Sequence, residues 1–351
     1  MRIAVVLVHY HTPGLAERAS QALVQDAEAS GLQLETVLVD NGSRPCDVEL
    51  LEALPARRLD PGRNLGYAGG ANLGVRETSA ELVVVMNPDV LVLPGCLGAL
   101  VESLEGGAAA AGPRFYWDSG KTFLLPPTEP VSRRAELLAV LARRGPAWAK
   151  VARRRWRRHA RRHWLARTAL RSYDLSGALL AFRRSAWLRI GPFDEGYRLY
   201  FEETDWLQRA RALRLETRWD PRAEAVHLYA QSTVGEGRAQ TWFLESGRRF
   251  RRRVYGPFFT RLLERMSRSV PADPVPALGL TPPPDPGRRA AWLEVSPSPL
   301  GFPAAARRHP PGLTLEQGLP EEIRSRLAHG TYFLRSVDEA GREVGLELLK
   351  I

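Results

Sequence analysis

Two aspartates stand just after strand-like segments, where a carboxylate can bind a ligand. Asp40 directly follows segment 34–39, and Asp89 follows the apolar segment 82–86 by three residues. An ionised carboxylate accepts hydrogen bonds from the base or ribose of a nucleotide, and hard cations such as Mg²⁺ or Mn²⁺ prefer carboxylate and diphosphate oxygens. These positions indicate a nucleotide or metal site. Each aspartate alone is equally compatible with a turn that only ends its strand.

A glycine-rich stretch, residues 64–74, reads Asn-Leu-Gly-Tyr-Ala-Gly-Gly-Ala-Asn-Leu-Gly. Its glycines let the backbone approach a ligand closely, and a following helix offers N–H groups and a positive dipole end to phosphate. The spacing does not match the dinucleotide-binding pattern G-x-G-x-x-G. A tight turn with close helix packing is the alternative interpretation.

A cluster of acids, Glu202-Glu203-Thr204-Asp205, is a candidate for proton transfer. Carboxylates this close raise one another's pKa, which helps to poise one of them as a general base. The alternative is a solvated helix start, where acids are favoured by the helix dipole.

The elements that must position these residues alternate along the chain. Apolar, β-branched runs predict buried strands, and helical spacing predicts a helix between the first two of them. The predicted order is a strand at 2–8, a helix at 15–29, and strands at 34–39, 57–59 and 81–86. Such alternation predicts an open α/β sheet with functional groups at the carboxyl ends of its strands, so Asp40 and Asp89 should face one crevice.

Taken together, these segments resemble the family 2 inverting glycosyltransferases of the GT-A fold, especially the rhamnosyltransferase-like members. The resemblance covers residues 3 to about 245 and includes segments 173–183, 191–195 and 200–206 and His227. It implies an α/β GT-A nucleotide-diphospho-sugar transferase fold with a mostly parallel central sheet. The family's His-x-x-Gly-x-Ser ending departs here to His-Leu-Tyr-Ala-Gln-Ser at 227–232.

The resemblance also implies a role for each matching residue. Asp89 and His227 would bind Mn²⁺ or Mg²⁺, and Glu203 would be the catalytic base, with Glu202 as its substitute. His9 is expected at the crevice mouth, in a structural role more than as a ligand. The residues implied at the donor pocket are His9, Asp40, Asn41, Asn64, Gly66, Gly69, Gly70, Asn72 and Asn87.

The implied reaction is metal-dependent transfer of rhamnose or another hexose, with inversion, in cell-surface polysaccharide assembly. The donor would be a dTDP- or UDP-linked sugar, and the acceptor a saccharide or a polyprenyl-diphosphate-linked sugar. The alternative is a non-catalytic membrane- or polyanion-binding protein on an α/β scaffold. A nucleotidyltransferase would need a glycine-rich basic loop after the first strand, which residues 9–14 do not supply.

The basic character of the chain is concentrated in one segment. Residues 133–171 hold 14 Lys or Arg and a single acid, whereas the remainder holds 36 basic and 38 acidic residues. Helical spacing places Trp148, Trp156 and Trp164 on one face, which predicts a basic amphipathic helix lying on an anionic membrane. Packing of that face against the catalytic domain, or binding of an acidic acceptor, are the alternatives. No recognised motif indicates a nucleic-acid partner.

Composition and length set the expected organisation. A 44% hydrophobic and 25% charged chain of 351 residues is globular and can hold more than one domain. We expect a transferase domain at 1–270 that contains the basic insertion 133–171, a proline-rich linker at 271–290, and a small β-rich domain at 291–351 with a hairpin. The C-terminal domain could serve dimerisation, partner docking or acceptor binding, so a homodimer is one of the expected possibilities.

No apolar run of about 18 residues is present, so the expected location is cytoplasmic or peripheral at the inner face of the cell membrane.

Overall fold

A computed structural model describes residues 1–228, 239–268, 289–310 and 312–351. Most of the predicted linker 271–290 and residues 229–232 of the histidine motif lie outside these ranges. The chain divides into two compact units. The first unit comprises Met1–Phe115 and Ala166–Pro257, and the second comprises Tyr116–Leu165 and Phe258–Ile351. This division differs from the expected one, because the basic insertion groups with the C-terminal strands.

Strands and helices alternate along much of the described chain. The first part of the chain contains β1 (Arg2–His9), α1 (Pro13–Ala29), β2 (Gln33–Asp40), α2 (Pro45–Glu52), β3 (Arg57–Leu59), α3 (Gly66–Arg76), β4 (Leu82–Met86), β5 (Val90–Val92), α4 (Cys96–Glu105), β6 (Ala110–Tyr116), α5 (Arg133–Ala142) and α6 (Pro146–Trp164). The rest contains β7 (Leu170–Arg171), β8 (Leu179–Arg183), α7 (Arg184–Ile190), α8 (Glu202–Ala212), β9 (Thr217–His227), α9 (Ala239–Tyr255), α10 (Pro257–Arg268), β10 (Trp292–Ser296), β11 (Ala305–Arg308), α11 (Glu321–Arg324), β12 (Thr331–Val337) and β13 (Glu343–Lys350).

The strands of the first unit form one sheet in the order β3-β2-β1-β4-β8-β6-β9-β5, with β7 paired to β9. Strands β3, β2, β1 and β4 are parallel, whereas β8 runs antiparallel to β4 and β5 antiparallel to β9. The predicted α/β sheet is therefore confirmed. Because β2 ends at Asp40 and the turn after β4 contains Asp89, both aspartates lie at the carboxyl edge of the parallel strands.

Helices cover both faces of this sheet, as the continuous apolar runs predict. Successive residues of a strand point to opposite faces. Accordingly, Ile3, Val5 and Leu7 of β1 pack with α1 and α4, whereas Val6 and Val8 pack with α3. The central strands are thus fixed from both sides, which holds their carboxyl ends in place.

Helix α3 packs closely on the sheet through glycines. A Cβ on Gly70 would lie 2.9 Å from Val8 Cγ1, and a Cβ on Gly74 would overlap with Val6 Cγ1. Both are inside ordinary contact distance, and the β-branched valines are themselves held in the core. The alternative interpretation of the glycine-rich stretch, close helix packing, is therefore correct for Gly70 and Gly74.

We expect Gly74→Ala to lower the free energy of unfolding by about 1–3 kcal/mol, because the added methyl group overpacks the interface with Val6. Gly14→Ala in α1 is the matched control, since no atom lies within 4 Å of its added Cβ. The control is expected to be neutral or stabilising by up to about 1 kcal/mol. Denaturant unfolding of both variants measures the difference, and equal stabilities would contradict the packing argument.

The second unit is built on an antiparallel sheet in the order β11-β10-β12-β13. Strands β12 and β13 pair around residues 338–342, which confirms the predicted hairpin. Its core contains Leu293, Val295, Leu334 and Ile323. Across the ranges that the structure describes, no helix combines the length and the apolar character that crossing a bilayer requires.

Helix α6 carries the predicted tryptophans, and the second unit covers two of them. Trp156 and Trp164 are buried, and the ring of Trp164 stacks on that of Trp292 with centroids 5.6 Å apart. Trp148 is 48% exposed. The prediction that one face bearing all three tryptophans lies on a membrane is therefore wrong. Trp156 and Trp164 pack against the C-terminal sheet instead.

Candidate active site

Strand β2 delivers Asp40 beside a buried histidine. Asp40 is 1% exposed and lies opposite His9 in the register of β1 and β2. Its Oδ2 accepts hydrogen bonds from Arg58 at 2.7 and 3.0 Å, and its Oδ1 accepts one from the backbone N–H of Ser43 at 2.9 Å. Burial alone would raise the pKa of Asp40, but the hydrogen bonds from Ser43 and Arg58 lower it. Asp40 is therefore an ionised acceptor.

His9 is fully buried and belongs to the framework of this corner. Its Nε2 accepts the backbone N–H of Thr12 at 2.9 Å, and its Nδ1 lies 3.1 Å from the Ser43 hydroxyl. Burial lowers the pKa of His9, although the nearby Asp40 carboxylate raises it. These contacts agree with the structural role that was expected for His9, whereas a direct contact with a donor stays a prediction.

Asn41 fixes the turn that precedes α3. Its side chain accepts the backbone N–H of Leu65 at 2.8 Å and donates to the carbonyl of Gly66 at 3.1 Å. The exposed Asn64 accepts the backbone N–H of Gly66 at 2.8 Å. Gly66 has a φ of +73°, which other residues rarely adopt. The N-terminus of α3, with its positive dipole end, is thereby tied to the strand end at Asp40.

Gly69, Gly70 and Asn72 of the glycine-rich stretch are inside α3 and buried. Asn72 exchanges two hydrogen bonds of 2.9 Å with the backbone of Phe193 and donates a third to Glu195. A Cβ on Gly69 would lie 2.8 Å from the Leu65 side chain. The structure uses Gly69, Gly70 and Asn72 to dock α3, so their place in a donor pocket stays a prediction.

Asp89 and His227 are brought together by the pairing of β5 with β9. Val90 lies opposite His227, and the backbone N–H of Leu228 donates to the Asp89 carbonyl at 2.9 Å. The Nε2 atom of His227 is 3.5 Å from the Oδ1 atom of Asp89, which is 1% exposed. Asn87 precedes them and donates its backbone N–H to Ala178. The two predicted metal ligands therefore meet.

The acid cluster begins α8 immediately after a strained turn. Tyr200 and Phe201 have φ angles of 67° and 73°, an unfavourable conformation for residues with side chains, of the kind found at functional sites. Burial raises the pKa of Glu202 well above its ordinary value, and the adjacent Glu203 raises it further. Burial also raises the pKa of Glu203, although a hydrogen bond of 2.9 Å from the Thr204 hydroxyl lowers it.

Helix α9 supports this turn from outside the sheet. The ring of Phe201 lies 5.4 Å from those of Phe243 and Phe250, and the Ser246 hydroxyl donates to the Leu199 carbonyl at 2.9 Å. Aromatic packing of this kind offsets the cost of the left-handed backbone and orients the start of α8.

Tyr67 joins the acid cluster to the aspartate of the predicted metal site. Burial raises its pKa well above the ordinary value, and the negative charges of Glu202, Glu203 and Asp89 raise it further. Its hydroxyl donates to the Gly177 carbonyl at 2.8 Å. The charges of all three carboxylates therefore act on the same hydroxyl group. This indicates that Asp89 and the predicted base, Glu203, lie in the same region of the first unit.

The sequence reasoning missed three residues of this region. Arg58 binds Asp40, Tyr67 lies among the carboxylates, and Gly177 leaves room for Glu203, since a Cβ there would be 3.0 Å from the Glu203 Cγ atom. Tyr67 and Gly177 stand inside segments that the resemblance already singled out. No comparable signal marked Arg58, because its partner lies on the neighbouring strand.

The side chains of Asp89 and His227 are suitable ligands for a hard cation that also binds a substrate. Among the residues that the structure describes, no group of three or more His, Cys, Asp or Glu side chains could hold a metal alone. Asp89 and His227 form a pair, and Mg²⁺ commonly uses one or two protein ligands together with phosphate oxygens and water. The imidazole side chain of His227 is of a type that also binds Mn²⁺.

Comparison with known proteins gives one family and several relatives. The family model described as glycosyl transferase family 2 matches residues 5–186. An N-acetylglucosaminyl-diphospho-decaprenol L-rhamnosyltransferase of Mycobacterium tuberculosis is 31% identical over 248 residues, covering 66% of this chain and 77% of that protein. The mannosyltransferase of Pyrobaculum calidifontis in complex with GDP-Man and Mn²⁺ is 15% identical, with a TM-score of 0.49, covering 79% and 71% of the two chains. S. aureus TarS residues 1–349 give 12% identity, a TM-score of 0.45, and coverage of 79% and 69%.

Proposed function

Because this chain belongs to glycosyl transferase family 2 and is a glycosyltransferase, we propose that it transfers rhamnose or another hexose from a dTDP- or UDP-linked donor to an acceptor hydroxyl. The transfer proceeds with inversion and depends on Mn²⁺ or Mg²⁺. The observation that carries this proposal is the 3.5 Å approach of His227 Nε2 to Asp89 Oδ1, in a region where the charges of Asp89, Glu202 and Glu203 all act on Tyr67.

Glu203 acts as the general base in this proposal. Its Oε1 atom accepts the Thr204 hydroxyl at 2.9 Å, which orients the carboxylate. Oε2 takes the proton from the acceptor hydroxyl while the hydroxyl oxygen forms its bond to the anomeric carbon. The bond from that carbon to the diphosphate breaks on the opposite face, and the electron pair leaves with the diphosphate. One displacement therefore inverts the anomeric centre.

Asp89 and His227 would hold the cation. When bound, Mn²⁺ or Mg²⁺ supplies positive charge that stabilises the departing diphosphate. The burial of Asp89 strengthens its attraction for a cation, because the protein screens charge less than water does. The imidazole of His227 supplies a nitrogen ligand, and its position is set by the pairing of β9 with β5.

The nucleotide is proposed to bind at the end of β2. Asp40 is ionised, and its Oδ1 and Oδ2 atoms are oriented by Ser43 and Arg58. Such a carboxylate accepts hydrogen bonds from a base or ribose. The N-terminus of α3, held by Asn41, lies beside it and favours the negative charge of phosphate.

The acceptor is proposed to be a sugar linked to polyprenyl diphosphate, in cell-wall polysaccharide assembly. The mycobacterial relative is named for an N-acetylglucosaminyl-diphospho-decaprenol acceptor and for L-rhamnose, which supports both the acceptor class and the donor sugar. A lipid-linked acceptor also supports a peripheral location at the inner face of the membrane, with the catalytic unit exposed to the cytoplasm.

A panel of nucleotide sugars tests the proposal. We expect dTDP-rhamnose or a UDP-hexose to raise the melting temperature only with Mn²⁺ or Mg²⁺, and to be transferred to a soluble N-acetylglucosaminyl diphosphate lipid analogue. The anomeric configuration of the product, measured by NMR, should be opposite to that of the donor. Retention of configuration would overturn the single displacement, and the absence of any nucleotide response would overturn the donor class.

A further inference from the structure

Helix α6 carries one row of arginines whose charges are neutralised by acidic residues of the C-terminal strands and the hairpin turn. Arg153, Arg157 and Arg161 follow one another at four-residue spacing, so they share a face. Arg153 lies 2.6 Å from Glu343, and Arg157 lies 2.7 Å from Glu294. Arg161 pairs with Glu339 at 3.5 Å. This row holds the helix on the C-terminal sheet, beside the buried tryptophans.

A second row, Lys150, Arg154, Arg158 and Arg162, is also spaced by four residues, and its three arginines each lie about 100° further around the helix than the arginine that precedes them. All four side chains are exposed, as is that of Arg155. None of the five forms an ion pair with any residue in the described ranges of the chain. Helix α6 contains no acidic residue, so these five charges are not balanced along the helix.

Exposed apolar side chains accompany this second row. Trp148 is 48% exposed, Val151 50% and Leu165 51%. At about 100° per residue, these three and the five cations fall within an arc of about 160°. We call these eight side chains the outer face of α6. It includes Trp148 but neither Trp156 nor Trp164, which pack against the C-terminal sheet.

We propose that the outer face of α6 docks on the surface of an anionic lipid bilayer. Its cations match the negative headgroups, and Trp148 and Leu165 at its two ends are side chains that favour the boundary between headgroups and acyl chains. Nucleic acid would also attract the cations, but it gives exposed Val and Leu side chains no favourable environment. The biological purpose rests on the proposed function, since docking keeps the enzyme where a lipid-linked acceptor is found.

The test uses the full chain and vesicles of phosphatidylglycerol and phosphatidylcholine, with pure phosphatidylcholine as reference. Wild type is expected to co-sediment with the anionic vesicles only. Each cation near the surface adds roughly fivefold to the affinity, so R154E/R158E/R162E should bind about 100-fold more weakly or worse. Binding should also fall as salt increases.

The matched control places the same charge change elsewhere. Arg18, Arg76 and Arg189 are exposed residues of the first unit. The variant R18E/R76E/R189E should retain the vesicle affinity of wild type within about fivefold, which is the contribution expected of a single cation. The variant R154Q/R158Q/R162Q removes the three positive charges without adding negative ones, so it is less disruptive to the folding of α6. It should also lose most of the vesicle binding. W148A/L165A tests the apolar part and should weaken binding by roughly tenfold.

Three results would overturn the proposal. One is equal vesicle binding by wild type and R154E/R158E/R162E, and another is an equal loss in the control variant. The third is tight binding of a single-stranded RNA with no binding to anionic vesicles. These outcomes are separate from the proposed function, because transfer to a water-soluble acceptor by R154E/R158E/R162E reports on catalysis alone.

Discussion

Replacing Glu203 by glutamine is expected to lower kcat by roughly 10²- to 10⁴-fold, which is the contribution of a positioned general base. Glutamine has the size of glutamate and still accepts the Thr204 hydroxyl, but it cannot take a proton from the acceptor. Donor affinity should therefore remain close to that of wild type. Steady-state transfer rates at saturating donor, together with calorimetric titration of the nucleotide, measure the two effects separately.

Glu202→Gln is the matched control, because Glu202 is the adjacent acid and only 4% exposed. It should retain kcat within about tenfold, equivalent to about 1.4 kcal/mol in the barrier. If Glu202→Gln were the variant that loses activity, the base assignment would be wrong. The pH profile adds a second criterion. Since burial raises the pKa of Glu203, the activity of wild type should rise with pH across a limb above the ordinary glutamate range, and Glu203→Gln should lack that limb.

The parallel half of the first unit could be predicted from the sequence. Strands β1 and β4 are runs of apolar, mostly β-branched residues without alternation, a pattern typical of strands buried on both faces. Their carboxyl ends follow from topology, which is why Asp40 and Asp89 were expected at one edge. Local pattern and the rules of α/β folds were sufficient for this part.

The partners of the helices could not be predicted, because they lie far away in the sequence. Helical spacing showed that α6 has an apolar face, but only the fold shows that Trp292 and its sheet cover Trp156 and Trp164. In the same way, the spacing of the glycine-rich stretch did not show that Gly74 faces Val6. A periodic pattern identifies a face and leaves open whether protein, lipid or solvent lies against it.

The pairing of Asp89 with His227 was likewise implied by the resemblance and not by local pattern. The short strand β5 was not expected, yet its pairing with β9 is what sets His227 beside Asp89. Tyr67 was not singled out within the glycine-rich stretch. Its hydroxyl nevertheless donates to Gly177, and the charges of both the acid cluster and Asp89 raise its pKa. Such contacts join residues whose separation in sequence carries no signal of proximity.

Replacing Asp89 by alanine is expected to remove the effect of Mn²⁺ on nucleotide binding and to lower kcat/KM roughly 100-fold or more, since stabilisation of a leaving diphosphate by a cation is worth several kcal/mol. His227 alone would remain at the site, and a single imidazole ligand holds a hard cation weakly. Titration of UDP and dTDP with and without Mn²⁺, followed by calorimetry, measures the loss without reference to turnover.

Asp26→Ala is the control that separates the cation site from the general cost of removing a buried carboxylate. Asp26 is 3% exposed in α1, and its Oδ2 atom accepts the backbone N–H of Leu97 at 2.7 Å. Removing this carboxylate should lower the free energy of unfolding by about 1–3 kcal/mol, because the buried N–H of Leu97 loses its acceptor. The effect of Mn²⁺ on nucleotide binding should remain that of wild type. Loss of the response in Asp89→Ala alone would identify Asp89 as the cation ligand. An unchanged response there would refute the assignment, since Asp89 is the carboxylate that lies 3.5 Å from His227.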